Sequence, residues 1–218
     1  MKLESKTIQV LKNFSTINPS MMFKPGTSLA TVSPTKTVMA KAQIEEEIPS
    51  EFAIYDLSRF LGVISLFNEP ALDVQDKFMT IKSGKQRVQY TFADPSVIVS
   101  PSKELTMPTV DIEVEVSQEN LQSVQKALGV MGLPEIAITG KDDTIFLEAI
   151  DSKNPTNDTY SIEIGKTDKV FQMIIKSENL KIIPSNYVVS ISSLGIAHFK
   201  GEYVEYWVAT EAASSFTD

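Results

Sequence analysis

Residues 111–131 read DIEVEVSQENLQSVQKALGVM, and the change of period inside this stretch decides the fold. From Asp111 to Val116 apolar and acidic side chains alternate, the period of two expected of a strand with one buried face. Beyond Ser117 the apolar residues Leu121, Val124, Ala127, Leu128 and Met131 recur every third or fourth position, which gathers them on one side of a helix. The Ser117 hydroxyl stands where it can accept an N–H of the first turn. A strand that passes through a capping serine into an amphipathic helix, in a chain otherwise rich in alternating segments, predicts an α+β fold.

Working outward toward the C-terminus, strands are expected near 135–139, 144–150, 160–164 and 170–176, with Lys141-Asp142-Asp143 and Asn154-Pro155-Thr156-Asn157 as turns. Residues 177–183 are expected to form a short helix stopped by Pro184, and strands near 187–192, 195–200 and 202–210 complete the half. Toward the N-terminus the same order appears. A helix is expected over 3–17, then strands near 21–24, 28–33, 37–44 and 52–55, with Glu45-Glu46-Glu47 as a solvated loop or edge. Asp56 caps a second helix over 57–67, and strands follow near 72–74, 78–82 and 87–92. Helix, meander, short helix, meander therefore occurs twice, and 218 residues suit two repeats of one small domain. The serines and prolines of 93–107, with their apolar centre, suggest an extended connector. The expected domains are 1–107, which includes that connector, and 108–218.

Composition removes several classes of function. A hydrophobic fraction of 42% and a charged fraction of 22% are those of a globular chain with real cores. No run of apolar residues is long enough to cross a membrane as a helix, and the first residues lack a leader's apolar stretch, so a soluble, unsecreted protein is expected. With no cysteine and one histidine, thiol chemistry, thiolate zinc sites and histidine metal cages are out of reach, and neither a metal nor a cofactor is expected. His198 reads as a strand histidine, and Asp142-Asp143 as a hairpin turn. No Gly-rich phosphate loop and no nucleophile with its base is present, so no catalytic residues are assigned.

Charge is distributed unevenly. Up to Met107 there are 12 basic and 11 acidic residues, and beyond it 8 and 17, which together give the net −8. Against this excess of acid, the polar arc of the first expected helix carries Lys2, Lys6 and Lys12 with Ser5, Gln9, Asn13 and Thr16, and no carboxylate. The polar side of the 57–67 helix has Arg59 with Ser58, Gly62 and Ser65. The third helix offers Lys126 among Gln118, Gln122 and Gln125, with Glu119 at its margin, and the expected 177–183 helix carries Lys181. Such faces are either ordinary solvated surfaces or surfaces that meet phosphate.

Several stretches resemble the sliding clamps of the large myophages: Met1-Lys2-Leu3, then Leu11-Lys12-Asn13-Phe14-Ser15-Thr16-Ile17-Asn18 and Ala53-Ile54-Tyr55-Asp56-Leu57-Ser58-Arg59-Phe60-Leu61-Gly62. Ala93-Asp94-Pro95-Ser96, Glu135-Ile136-Ala137-Ile138-Thr139, Lys200-Gly201-Glu202 and Ala209-Thr210-Glu211-Ala212 follow in the same order. The resemblance covers the whole chain and is weaker at 72–92 and around Asn154. It implies a non-enzymatic DNA polymerase processivity factor with the DNA clamp fold: two clamp-type domains, antiparallel sheets outside, and two helices per domain facing a central hole. Three chains would close a homotrimeric ring round duplex DNA, independent of base sequence, with Lys2, Lys6, Lys12, Arg59, Lys126 and Lys181 as the DNA-facing residues. The implied partners are the phage DNA polymerase, an ATP-driven clamp loader and late-transcription factors, in the cytoplasm of the infected bacterial host. Partners of such clamps insert an apolar peptide into a pocket. Val97, Ile98 and Val99 are candidates for part of it, or are simply buried packing. The strand near 202–210 is a candidate for the edge that closes the ring. The competing readings are a β-rich phage capsid or tail protein and a carboxylate-dependent hydrolase.

Overall fold

The structure, a computed structural model, describes residues 1–103, 105–154 and 156–217. Glu104 in the expected connector, Pro155 in the expected turn and Asp218 lie outside the described residues. The chain divides into two compact units, Met1–Glu104 and Leu105–Asp218.

In the first unit, helix α1 spans Ser5–Ile17 and buries Thr7, Val10, Leu11, Phe14 and Ile17, the stripe set by its periodicity. It begins two residues later than expected, so Lys2 precedes the helix, its ammonium 3.7 Å from a carboxylate oxygen of Glu69. No side chain of the helix's own caps the first turn. Glu46 does so instead, accepting from the Glu4 N–H and from the Thr7 hydroxyl, the latter at 2.6 Å. That carboxylate belongs to β3 (Val38–Ile48), which runs on through the acidic triplet expected as a loop or edge; Ile44 and Ile48 are buried while Glu45 and Glu47 face solvent. β3 pairs antiparallel with β2 (Gly26–Val32), and β1 (Met21–Phe23) pairs with β4 (Phe52–Ile54). Helix α2 (Leu57–Ile64) packs on α1, buries Leu57, Phe60, Leu61 and Ile64, and ends three residues earlier than expected. Strands β5 (Ala71–Val74), β6 (Phe78–Ser83) and β7 (Gln86–Thr91) form an antiparallel sheet in chain order, with Gly84 at φ +57° in the β6–β7 turn.

The segment that follows lies against this unit. Phe92 stacks on Phe52 at 4.7 Å between ring centroids, and Asn18 ties the chain down further along. The Asn18 side chain, 2% exposed, donates to the carbonyls of Val32 at 2.9 Å and Val99 at 3.0 Å, while its oxygen accepts the Ser20 N–H at 3.0 Å. One buried amide thus joins the end of α1, a strand and the connector.

The second unit begins with β8 (Ile112–Val116), the alternating strand, and continues into α3 (Gln118–Met131), whose Ser117 hydroxyl accepts the Asn120 N–H at 3.1 Å. Gly132, at φ +65°, ends the helix in the left-handed conformation that costs glycine least. α3 packs on β9 (Glu135–Lys141), β10 (Thr144–Ile150) and β11 (Tyr160–Lys166). With β12 (Val170–Lys176), these strands form an antiparallel sheet ordered β11-β10-β9-β12. β13 (Tyr187–Ser192) lies between β8 and β14 (Ile196–Lys200), and β14 pairs in turn with β15 (Val204–Ala209). A short strand absent from the sequence expectation, β16 (Ser215–Thr217), extends the first of these sheets beside β12, so the 202–210 strand is not the last.

The helix expected over 177–183 is a correction. Only Ser177–Asn179 is helical, a single 3-10 turn, and Leu180 leaves the helical region at φ −84°, ψ 52°. Tertiary bonds claim the backbone beyond it. The Ile183 N–H donates to the Tyr206 hydroxyl at 3.1 Å, and the Ile183 carbonyl accepts from the Tyr187 hydroxyl. Leu180, Ile182 and Ile183 are all buried. Among the described residues, the second unit therefore has one α-helix rather than two.

Two predictions follow from these anchors. Asn18→Ala should lower unfolding free energy by about 2–3 kcal/mol, since it removes the side chain that bonds the carbonyls of Val32 and Val99 and the buried Ser20 N–H, and should speed proteolysis at 100–103; urea melts and timed digestion measure both. Burial raises the pKa of the Tyr187 and Tyr206 phenols above the ordinary value, so the folded state favours their neutral form. The stability this lends is intact below pH ~10 and lost as the pH climbs further, so these two tyrosinates should appear in absorbance only together with loss of secondary structure.

Candidate nucleic-acid interface and partner groove

Packing of the apolar stripe leaves Ser5, Lys6, Gln9, Lys12 and Thr16 of α1 exposed. Lys6 and Lys12 stand about 9 Å apart along the axis, at a rise of about 1.5 Å per residue. On α2, Asp56 accepts the Arg59 N–H at 2.8 Å and fixes the first turn, leaving Ser58, Arg59, Gly62 and Ser65 in solvent. Beyond their N-caps, Ser5–Ile17 and Leu57–Ile64 expose basic and neutral side chains and contain no carboxylate. Several hydroxyls here turn back on the backbone, Ser15 donating to the Lys12 carbonyl and Ser65 to that of Gly62. In the second unit, α3 exposes Gln118, Gln122 and Lys126, with Glu119 in its first turn.

The six basic residues assigned from sequence thus divide. Lys6, Lys12, Arg59 and Lys126 are exposed on helices. Lys2 lies ahead of α1 beside Glu69, and Lys181 is exposed in the irregular segment after the 3-10 turn, so neither stands on a helix face.

Val97, Ile98 and Val99 also divide. A 3-10 turn at Pro95–Val97, capped by Asp94, leaves Val97 57% and Val99 44% exposed while Ile98 is buried. None of the three lines the neighbouring groove. That groove, of about 350 Å³, is walled by β2 and β3 on one side and by Ser100, Pro101, Ser102 and Lys103 on the other. Met22, Pro25, Ala30, Met39 and Pro101 supply apolar surface, and Lys24, Lys41 and Lys103 supply the charge. Sequence reading missed it because the walls come from three separated segments, joined only when β2 pairs with β3 and Asn18 holds the connector.

Elsewhere the chemistry is structural. His198 and Trp207 are opposite each other on β14 and β15, with rings stacked at 4.6 Å, and His198 Nε2 is 2.9 Å from Glu205 Oε2. Asp142 and Asp143, at φ +51° and +58°, form the tight turn between β9 and β10. Among the described residues, no group of three or more His, Asp or Glu side chains is placed to hold a metal ion, and no helix is long and apolar enough to cross a membrane.

Comparison with known proteins agrees with both units. A family model described as DNA polymerase processivity factor matches residues 2–100, and one described as gp45 sliding clamp, C terminal, matches residues 113–212. The chain is 34% identical to the sliding clamp of Vibrio phage KVP40, over 97% of this chain and 100% of that one, and 34% identical to that of Enterobacteria phage T4, over 99% of each. A solved structure of A. fulgidus PCNA with the C-terminal region of FEN-1 bound superposes with a TM-score of 0.71 at 15% identity, covering 95% of this chain and 96% of that one. The chain therefore belongs to the phage sliding clamps of the T4 kind, which serve DNA polymerases as processivity factors and are not enzymes.

Proposed function

We propose that three copies of this chain close into a ring round duplex DNA and tether the phage replicative polymerase for processive synthesis. The observation that carries this reading is that neither α1 (Ser5–Ile17) nor α2 (Leu57–Ile64) carries a carboxylate within its span, in a chain whose net charge is −8. A ring holds DNA by topology, so its lining needs only weak attraction to phosphate at any sequence, which Lys6, Lys12, Arg59 and Lys126 with neutral Gln side chains provide. Acid placed elsewhere disfavours DNA on other surfaces. Closure uses two strands that pair on one side only within their own sheets, β7 in the first unit and β11 in the second. Each carries a half-buried apolar row, Val88 and Tyr90 on one and Ile162 and Ile164 on the other, so head-to-tail pairing would satisfy both. An ATP-driven loader opens and seats the ring in the infected bacterium's cytoplasm, and late-transcription factors share it with the polymerase. The groove beside the connector is their docking site, in keeping with the A. fulgidus PCNA that binds a C-terminal region of its partner.

The double change Lys6→Glu with Lys12→Glu tests the lining, because it reverses charge without touching the buried stripe. A folded particle of about three times 24.1 kDa should persist while tracts of synthesis shorten, and the defect should shrink as salt screens the repulsion. Full processivity at low salt, or loss of the trimer, would show that this face does not meet DNA.

A further inference from the structure

We infer that charge sets the register of the ring seam: Arg87 on β7 of one copy faces Glu163 on β11 of the next, in antiparallel pairing of residues 87–90 with 160–163. This rests on the proposed closure of the ring through β7 and β11. The argument starts from electrostatics within one copy. Lys82 and Arg87 stand directly opposite each other across the β6–β7 ladder, with Lys85 in the turn between them, and all three are exposed. Like charges in a cross-strand pair repel. Among the described residues none of these three cations makes an ion pair, so the hairpin carries a charge that its own unit leaves unanswered. The answering charge lies on β11. Beyond Met107 acids outnumber bases 17 to 8, and Glu163 is the one carboxylate on that strand. Its contact within the chain is with Lys166 at 2.8 Å, and both side chains are more than half exposed, an ion pair weak enough to be exchanged.

Backbone geometry narrows the choice of register. β11 is bulged: Ile145 faces Gly165 while Phe146 faces Glu163, so Ile164 has no opposite residue on β10 and the regular run is 160–163. The ladders beside both free edges are antiparallel. The half-buried Val88 and Tyr90 of β7 must share a face with the half-buried Tyr160 and Ile162, which leaves registers that differ by steps of two residues. In the register that sets Val88 against Ile162, Tyr90 meets Tyr160, Gln89 meets Ser161 and Arg87 meets Glu163. A slip of two residues toward the bulge sets Val88 against Ile164 and Tyr90 against Ile162. It leaves Glu163 opposite the neutral Gln89, and Arg87 opposite Gly165 in the bulge. Both registers cover the apolar rows, so the charge separates them. The same residues oppose closure of like edges, since two β7 edges would bring two basic hairpins together and two β11 edges would bring two carboxylates together.

The test uses the full chain. It has no cysteine, so introduced cysteine pairs report the register without background. Directly opposed residues bring their Cα atoms within disulfide reach, and diagonal ones do not. Gln89→Cys with Ser161→Cys, oxidised in solution, should cross-link neighbouring copies, whereas Thr91→Cys with Ser161→Cys, opposed only in the slipped register, should not. The reverse ranking would overturn the register. Assembly is read separately, by sedimentation across a dilution series. Arg87→Glu or Glu163→Arg alone should raise the concentration at which half of the trimer has dissociated by about tenfold at low salt, with the effect narrowing as salt rises. The two changes together should restore assembly, which a variant that had merely failed to fold could not do. A trimer unmoved by either single change would overturn the ion pair and leave ring closure standing. A wild-type chain that stays monomeric at high concentration, with no cross-link from either cysteine pair, would remove closure through β7 and β11 itself. An unmoved trimer that loses processive synthesis with Arg87→Glu would assign the hairpin to nucleic acid instead.

Discussion

The burial of one stripe of α1 fixes the direction of every other side chain on that helix. Val10, Leu11 and Phe14 are fully buried, and Thr7 and Ile17 nearly so, which forces Lys6, Gln9 and Lys12 outward. A helix can be rotated about its axis only if its apolar contacts are given up, at about 25 cal/mol per Å² of apolar surface returned to water. The electrostatic character of the face is thus a by-product of core packing. α2 obeys the same constraint through Leu57 and Phe60, and its exposed Arg59 follows from it.

This coupling lets an acidic protein keep basic surfaces. Glu46 illustrates how a carboxylate can be used without spoiling a helix face, because its oxygens are engaged by the Glu4 N–H and the Thr7 hydroxyl at the start of α1. Negative charge at that end favours the helix dipole. Asp56 repeats the device for α2, accepting an N–H of the first turn. In the proposed ring the acids that hold the helices stand at their ends, and the spans between remain clear for phosphate.

Element order was legible because period-two and period-3.6 patterns are local, and 111–131 contains both with the cap between them. The acid-free character of the α1 face was legible for the same reason. What failed was non-local. Residues 177–183 carry a helix-like pattern and a terminal Pro184, yet tyrosines from β13 and β15 take the backbone groups of Ile183 that a helix would need. Lys2 was grouped with Lys6 by angle alone, but the helix begins only at Ser5. β16 is three residues long, too short to announce itself by alternation. The groove escaped notice because Met22, Met39 and Pro101 share no motif and meet only through tertiary pairing.

The stack of His198 on Trp207 has an optical consequence. Trp207 is the single tryptophan of the chain, and it sits in the β14–β15 hairpin of the second unit, flanked by an imidazole that can quench it. Indole emission therefore monitors that hairpin, whereas the chromophores of the first unit are Tyr55, Tyr90 and phenylalanines. Should the β14–β15 hairpin lose its structure at a different denaturant concentration from the rest of the chain, the fluorescence and circular dichroism transitions would separate, and the gap between them would measure the departure from a single cooperative unit.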